Sequence, residues 1–457
     1  MKKFAPLLFI LLFFCCKDDI DDTIVVADTE NLEVGDFIYN VMNFAYYWQK
    51  DVPNLADDKF DDDKEYTSFL QYFDGPGALF EALQYEEDKY SALIDDYEAF
   101  ENNIMGISLT SGMVFGLVRF SNDSPDIFGY VQYVLAGSDA EAKGIKRGAI
   151  FTDVNDTQLT IANYQELLFN NAPTYTIGMA TLSNNTVTKT GSSVSLNKSE
   201  QTEQSVHIAK VIEHAGKKVG YVMYNSFVTS QDELLKTAFT TLATASIDEL
   251  VVDLRYNRGG SVATAQLLAG LIAGEHANKV FGKFVFNEKL RANNLDIEIT
   301  SSNVNLGLSR VFFLTTKSSA SASEMTINGL KPYLDVIQIG DQTEGKDVGS
   351  NPFYDYIDSN ETKNPNHKYL LLPITFKYYN SEGVGDYSEG LLPNISLREN
   401  LATLGELGDV EEPFLKKALE YISGQTTGGI SVDSRSIPAT FVELQTEAAR
   451  AIYFPKN

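Results

Sequence analysis

The spacing of apolar residues divides the chain into segments of different structural character. Between residues 34 and 100, apolar side chains such as Phe37, Val41 and Phe44 recur every three or four positions, which predicts helices with one buried face. From about 105 to 200 the pattern changes to short runs of β-branched and aromatic residues, which predict strands.

From about residue 205 onward, predicted strands and helices alternate. The strands are expected at 219–227, 247–254, 310–315 and 336–339, and the helices at 232–245, 262–275 and 321–334. This alternation is typical of a sheet covered by helices. The sequence therefore predicts a multidomain α/β protein with a helical N-terminal region, a β-rich domain and an α/β domain. A Gly-, Ser- and Thr-rich loop near 424–438 precedes a tail in which 439–452 again has helical spacing.

The N-terminus has the pattern of an export signal. Basic residues at positions 2 and 3 precede an apolar run, 4–14, which is too short to span a bilayer. The run ends at Cys15-Cys16, and Lys17-Asp18-Asp19 follows at once. A plain cleaved secretory signal is one interpretation. A lipoprotein signal is the other, with Cys16 as the favoured lipidated residue because the charged segment begins directly behind it, and with Cys15 left open.

The lipoprotein interpretation predicts a location in the cell envelope of a Gram-negative bacterium, as an outer-membrane lipoprotein that is periplasmic or surface-exposed. Residues 17–19 resemble an acidic tag that directs some such lipoproteins to the cell surface. Residues 17–30 are expected to form an acidic tether. The membrane is then a partner only through the lipid anchor.

Composition and charge exclude several classes of function. The chain has 36 basic and 63 acidic residues and a net charge of −27, which argues against nucleic acid as a partner. The acidity is concentrated in residues 17–103, where 24 acidic residues face five lysines. Only two cysteines and four scattered histidines occur, so a disulfide framework, a thiolate metal site or a cysteine nucleophile is not expected. No metal and no organic cofactor is predicted.

Three short segments could carry chemistry. A Gly259-Gly260 turn follows a buried strand and could expose N–H groups to an oxyanion, or it could serve packing alone. Ser321 lies in a run of small hydroxyl residues at a helix start, where it could be a nucleophile or a helix cap assisted by Glu324. Lys346 lies in a glycine-flanked loop and could be a general base or a solvated side chain.

The segment from Ala136 to Asp156 resembles the most recognisable part of PDZ domains. It contains a short helix, a turn bounded by Gly144 and Gly148, and a strand that ends in Asn155-Asp156. PDZ domains bind an extended peptide as an added strand and hold its terminal carboxylate in a loop. By this resemblance the peptide-binding loop is formed by Phe115, Gly116, Leu117 and Val118.

Together, three ordered segments resemble the C-terminal processing peptidases, also called tail-specific proteases. These segments are Asp253-Leu254-Arg255-Tyr256-Asn257-Arg258-Gly259-Gly260, Ser319-Ala320-Ser321-Ala322-Ser323-Glu324, and the loop 340–346 that ends in Gly345-Lys346. The resemblance implies a Ser/Lys serine peptidase. Ser321 would be the nucleophile and Lys346, which lies 25 residues later, the base. Backbone N–H groups of Gly259, Gly260 and Ala322 would form the oxyanion hole. Many members carry a glutamine four residues after the lysine, and here Ser350 occupies that place.

The resemblance implies an endopeptidase that acts through an acyl-enzyme on unfolded or C-terminally tagged polypeptides, guided by its PDZ domain. The expected organisation is a lipoprotein signal at 1–16, a tether at 17–30, a helical domain at 31–104, a PDZ-like domain at 105–204, a Ser/Lys peptidase domain at 205–424, and a C-terminal loop and helix at 425–457. Two alternatives remain open. One is a catalytically weak or inactive surface-anchored module that binds peptides. The other is a nutrient-capture lipoprotein whose acidic helices bind a partner or a cation.

Overall fold

A computed structural model describes residues 29–121, 123–425 and 442–444. The predicted signal at 1–16, with Cys16, and most of the predicted tether lie outside these residues. The helical, β-rich and α/β regions follow one another in the predicted order.

The N-terminal region is mainly helical. Aspartates begin two of its helices, because the side chain of Asp62 accepts the N–H of Glu65 at 2.8 Å and that of Asp96 accepts the N–H of Glu98 at 2.9 Å. Its elements are α1 (Thr29–Ala45), α2 (Asp63–Leu70), α3 (Gly75–Ala82), β1 (Ala92–Ile94) and α4 (Tyr97–Ile104).

The β-rich middle region forms one main antiparallel sheet with two short helices. Its elements are β2 (Ile107–Thr110), β3 (Met113–Arg119), β4 (Ile127–Val134), α5 (Asp139–Ala142), β5 (Ile150–Val154), β6 (Thr157–Gln158), α6 (Tyr164–Phe169), β7 (Thr174–Ser183), β8 (Thr186–Asn197) and β9 (Ser199–Thr202). The main path runs β3-β4-β5-β7-β8. The strands β2 and β9 pair with each other, so the two ends of this region lie side by side.

The remaining region alternates strands and helices, as the periodicity predicts. The elements are β10 (Val206–His214), β11 (Lys217–Tyr224), α7 (Asp232–Ala245), β12 (Glu249–Asp253), α8 (Val262–Ile272), β13 (Val280–Phe286), β14 (Leu295–Glu298), β15 (Arg310–Thr315), α9 (Ala322–Leu330), β16 (Asp335–Gly340), β17 (Val348–Ser350), β18 (Phe353–Tyr354), β19 (Leu370–Leu372), β20 (Ile374–Tyr379), β21 (Ile395–Ser396) and α10 (Pro413–Ile422). Short 3₁₀ turns occur at Gln49–Asp51, Pro53–Leu55, Thr229–Gln231, Gly274–His276 and Arg291–Asn293.

The central sheet of this region has the order β10-β11-β12-β15-β16-β21. All pairs from β11 to β21 are parallel, and β10 adds an antiparallel edge. One apolar cluster joins the sheet to α7, α8 and α9, and a second joins its other face to α10. Because parallel strands end at one edge, the segments that follow β12, β15 and β16 meet there.

The helical region docks firmly on the α/β region. The strand β1 pairs with β19, and the N–H of Tyr47 donates to the carbonyl of Ile374 at 2.8 Å. The amide of Asn287 donates to the carbonyls of Phe44 and Tyr46 at 3.0 and 2.9 Å. Apolar residues of both regions share one cluster.

The described tail differs from the prediction. Residues Val442–Leu444 form a strand, β22, where helical spacing predicted a helix. The strand pairs antiparallel with β3, which makes it the outer strand of the middle sheet. The edge of the middle sheet offers backbone hydrogen bonds to this segment, and the local spacing of apolar residues contains no information about that edge.

Within the described ranges, no helix is long and apolar enough to cross a membrane. The same residues contain no group of three or more His, Cys, Asp or Glu side chains arranged to hold a metal ion.

Candidate active site

Ser321 is held in a backbone conformation that serine rarely adopts. It lies just before α9, beyond the end of β15, with φ 63° and ψ −114°. A non-glycine residue in such a conformation costs about 1–3 kcal/mol, and residues of this kind concentrate at active sites. The residue is buried, with an exposed fraction of 3%. The strained backbone of Ser321 therefore lowers the stability of the folded protein, and the surrounding contacts must hold it in place.

The carboxylate of Glu324 joins the serine to the lysine. Its Oε2 accepts the N–H of Ser321 at 2.7 Å and the N–H of Lys346 at 2.8 Å. Its Oε1 accepts the N–H of Gly345 at 2.7 Å and the hydroxyl of Thr343 at 2.5 Å. Burial raises the pKa of Glu324 to about 7, and the four hydrogen bonds oppose that rise. One buried side chain thus fixes the segments that carry both predicted catalytic residues.

Lys346 is buried where two regions of the protein meet. Only 3% of the residue is exposed, and its Nζ lies 5.0 Å from the centre of the Tyr90 ring. The preceding Gly345 has φ 99°, and a Cβ there would lie 2.2 Å from the carbonyl oxygen of Ser388. The turn that buries the lysine therefore requires glycine at this position.

Tyr90 belongs to the N-terminal region and is held in place by its neighbours. Asp88 accepts the N–H groups of Tyr90 and Ser91 at 2.8 and 3.0 Å, and the hydroxyl of Tyr46 donates to the same carboxylate at 2.7 Å. The hydroxyl of Ser91 accepts the N–H of Ile374 from β20 at 2.8 Å. Sequence reasoning missed Tyr90, because no local pattern reports a contact made across regions.

The Gly259-Gly260 turn lies directly against the serine. A Cβ on Gly259 would lie 2.9 Å from Cβ of Ser321 and 3.0 Å from the nitrogen of Ala322. The N–H of Gly259 donates to Oδ1 of Asn257 at 2.9 Å. The N–H of Gly259 is thus engaged in this structure, and its lack of a side chain permits the close approach of Ser321, while its predicted role as an oxyanion donor stays a prediction. Among the described residues, the N–H groups of Gly260 and Ala322 have no hydrogen-bond partner.

Asn257 organises this turn, and sequence analysis assigned it no role. Its side chain accepts from Gly259 and donates to the carbonyl of Tyr224 at 2.8 Å. Its carbonyl accepts the N–H of Ala320 at 3.1 Å and the hydroxyl of Ser323 at 2.9 Å. The glycine turn and the serine segment are thereby joined as one unit.

A buried network of charges lies behind the turn. Arg255 is fully buried and pairs with Asp253 at 2.7 Å and with Glu412, at the start of α10, at 2.6 Å. Glu399 pairs with Arg147 of the middle region at 2.7 Å and reaches Arg255 at 3.5 Å. These contacts connect the middle region to the strand end that carries the glycine turn.

The structure also places Ser350 and the four predicted peptide-binding residues, and all five lie in strands. Ser350 is buried in β17 and pairs with Ile374 of β20. Phe115, Gly116, Leu117 and Val118 form part of strand β3, so the prediction that they form a loop is corrected. Their alternating apolar residues and the contact of Gly116 with the Tyr130 ring suit a strand, since a Cβ on Gly116 would lie 2.4 Å from that ring.

The site has a serine at a helix start, a buried lysine and unpaired backbone N–H groups beside the serine, at the carboxyl edge of a parallel sheet. This is the class of site found in serine hydrolases that use lysine in place of histidine. Residues 218–396 match the peptidase family S41, and residues 33–92 match the peptidase S41 N-terminal domain. These two matches together span just over half of the chain, which belongs to peptidase family S41.

Known proteins agree with this assignment. Proteins of Staphylococcus aureus strains N315 and Mu50 described as CtpA-like serine proteases are 24% identical over 328 residues, which is 70% of this chain. The chain spans 58% of the length of those relatives. The crystal structure of a Bacteroides fragilis protein described as an S41 protease superposes with a TM-score of 0.67 at 28% identity, covering 85% of this chain and 97% of the other.

A photosystem II D1 C-terminal processing protease has the same fold, with a TM-score of 0.51 at 15% identity, covering 90% of this chain and 99% of that one. These likenesses confirm the predicted multidomain α/β fold class. The matches to the family models support the coarser part of the predicted family, a peptidase of family S41.

Proposed function

We propose that this protein is a serine endopeptidase that hydrolyses polypeptides with Ser321 as nucleophile and Lys346 as general base. The observation that carries the proposal is the single oxygen of Glu324 that accepts the N–H groups of both residues. This contact holds the backbones of the nucleophile and the base against one buried carboxylate, which supports the positioning that catalysis requires.

Neutral Lys346 takes the proton from Oγ of Ser321 as that oxygen attacks the peptide carbonyl. The N–H groups of Gly260 and Ala322 stabilise the oxyanion, because both lack a partner among the described residues and Ala322 begins a helix. Lys346 then protonates the leaving amine and later activates the water that releases the acyl group. These steps need the neutral amine of Lys346, a residue that is only 3% exposed.

Substrates are proposed to be unfolded or C-terminally tagged polypeptides guided by the middle region. Supporting this are the PDZ-like segment 136–156 and the strand edge of β3, to which an extended backbone can add.

Cleavage of casein by the chain from residue 28 onward tests the proposal. Ser321→Ala and Lys346→Ala should each abolish cleavage and leave the melting temperature nearly unchanged. Lys236→Ala is the matched control, since Lys236 lies on the solvent face of α7 and should retain full activity. Turnover retained in either active-site variant would refute the assignment.

The presence of Ser350 in place of the glutamine of many family members favours a second candidate, a weakly active or inactive module that binds peptides. Peptide binding with no cleavage by the wild type would support that candidate.

We also propose that Cys16 is lipidated and anchors the protein to the outer membrane of a Gram-negative envelope. The apolar run at 4–14 and the charged segment behind Cys16 support this. Mass spectrometry of the membrane-extracted protein should find an acylated N-terminal residue 16. An unmodified N-terminus at any other residue would refute it.

A further inference from the structure

The tail of this protein lies along an edge of the middle sheet. Val442 pairs with Arg119, and Leu444 pairs with Leu117, in an antiparallel register. As the tail advances, its partners on β3 move back toward the start of that strand and the turn at Ser111-Gly112. The tail thus adds one strand to the sheet.

This edge is the one to which the PDZ resemblance assigns peptide binding. A peptide bound in that mode adds an antiparallel strand and points its C-terminus toward the start of the receiving strand. The tail has this polarity. It does not end there, because residues 445–457 follow, so it mimics the body of a ligand rather than its terminal carboxylate.

An aromatic surface lies next to the occupied edge. The Phe115 ring stacks on Phe169 of α6, with ring centres 6.0 Å apart, and meets Phe151 edge-on at 5.5 Å. Phe169 is 48% exposed. A peptide that pairs along the whole of β3 passes Phe115, so this edge offers apolar contacts as well as backbone hydrogen bonds.

The tail contact is weak enough to exchange. Within the described part of the tail it consists of three residue pairs, and a net backbone hydrogen bond contributes only about 0.5–1.5 kcal/mol. Its advantage is that it is intramolecular. A tethered segment has an effective concentration on the order of 1 mM, so a tail with an intrinsic Kd of about 0.1 mM for the edge weakens the binding of a competing peptide roughly tenfold.

We propose that residues 442–444 are an intramolecular ligand of the β3 edge and compete there with the extended segments of polypeptide substrates. The proposal rests on the proposed function for the identity of the competitor. In the resting protein the tail occupies the edge, and a substrate segment binds by displacing it.

The test is a binding measurement with a fluorescent peptide of the sequence of residues 439–447. It uses the chain from residue 28 onward in the Ser321→Ala background, so that no turnover occurs. The test variant is Val442→Pro/Glu443→Pro. Successive N–H groups in a strand point to opposite sides, so one of these prolines removes a donor that faces β3. The control is Ile430→Pro/Ser431→Pro, which carries two prolines in the connecting segment.

The double variant at 442–443 should bind the peptide about tenfold more tightly than the wild-type tail, and the control should bind like the wild type. Amide hydrogen exchange of residues 117–119 should be faster in the same variant and should slow again when peptide is added. Equal affinity for all three proteins, or no binding to any of them, would overturn the proposal. Failure of casein cleavage would refute the proposed function alone, because this binding assay needs no turnover.

Discussion

Replacing Glu324 with glutamine should reduce peptide hydrolysis at least tenfold while changing stability little at pH 8. The carboxylate accepts four hydrogen bonds, and glutamine offers one acceptor oxygen in place of two. The glutamine side chain has two possible amide orientations. The more favourable one keeps the hydrogen bonds from Ser321 and Lys346 to its oxygen and turns its NH₂ group toward Thr343 and Gly345. The Thr343 hydroxyl can rotate to accept, but the Gly345 N–H cannot. One unpaired buried N–H costs about 1–3 kcal/mol.

An opposing effect comes from charge. Burial raises the pKa of Glu324 from 4.5 to about 7. Between these two pH values Glu324 is protonated in the folded protein and ionised in the unfolded chain. Its contribution to the free energy of unfolding is therefore fully present below pH 4.5 and is lost as the pH rises through 7. The loss amounts to about 3 kcal/mol, at 1.36 kcal/mol for each unit of pKa. Glutamine has no such dependence.

The two effects together give a pH signature. At pH 5 the wild type should be more stable than Glu324→Gln by about 1–3 kcal/mol, and at pH 8 the two should be nearly equal. Urea unfolding at both pH values measures the difference, and casein cleavage at pH 8 measures the activity. A shift of the Ser321 and Lys346 segments that raises the barrier by 1.4 kcal/mol accounts for a tenfold loss. Undiminished cleavage, or a stability difference that grows with pH, would refute the reasoning.

Three further changes test other parts of the site. Tyr90→Ala should lower kcat, because the ring lies 5.0 Å from Nζ of Lys346 and its loss leaves a void beside that side chain. An unchanged kcat would show that the ring does not help to position Lys346. Gly260→Ala should abolish cleavage and lower the melting temperature, since a Cβ there would lie 2.4 Å from the carbonyl oxygen of Phe227 at φ 133°, and a stable, active variant would contradict this. Ser350→Ala should lower kcat less than Ser321→Ala or Lys346→Ala, and an unaffected kcat would mean that another residue orients Lys346.

Elements with strong local signals could be predicted from the sequence. The helix at 232–245 and the strand at 310–315 have the predicted bounds, because the apolar residues of the helix follow one period and the strand is a continuous apolar run. Ser321, Lys346 and the glycine turn could be predicted as site residues because each lies in a contiguous motif. The tail at 439–452 was predicted as a helix from its spacing, and its described part is a strand, because a sheet edge elsewhere in the chain decides its conformation.

The rest of the site depends on contacts that no local pattern reports. Glu324 could be seen as a helix-capping residue, but its bonds to Gly345 and Lys346 arise only when β15 and β16 lie side by side. Tyr90 reaches Lys346 through the docking of a whole region. The engaged N–H of Gly259 depends on the rotamer of Asn257, which the sequence does not specify.

The contact between Tyr90 and Lys346 has a consequence for the order in which the molecule is assembled. The two residues lie 256 positions apart, so their contact forms only after the helical region and the α/β region have folded and docked. Ser321 and Glu324 lie three positions apart and can meet as soon as their turn forms. The surroundings of Lys346 are therefore completed late, and under the proposed mechanism the whole site exists only in the assembled protein.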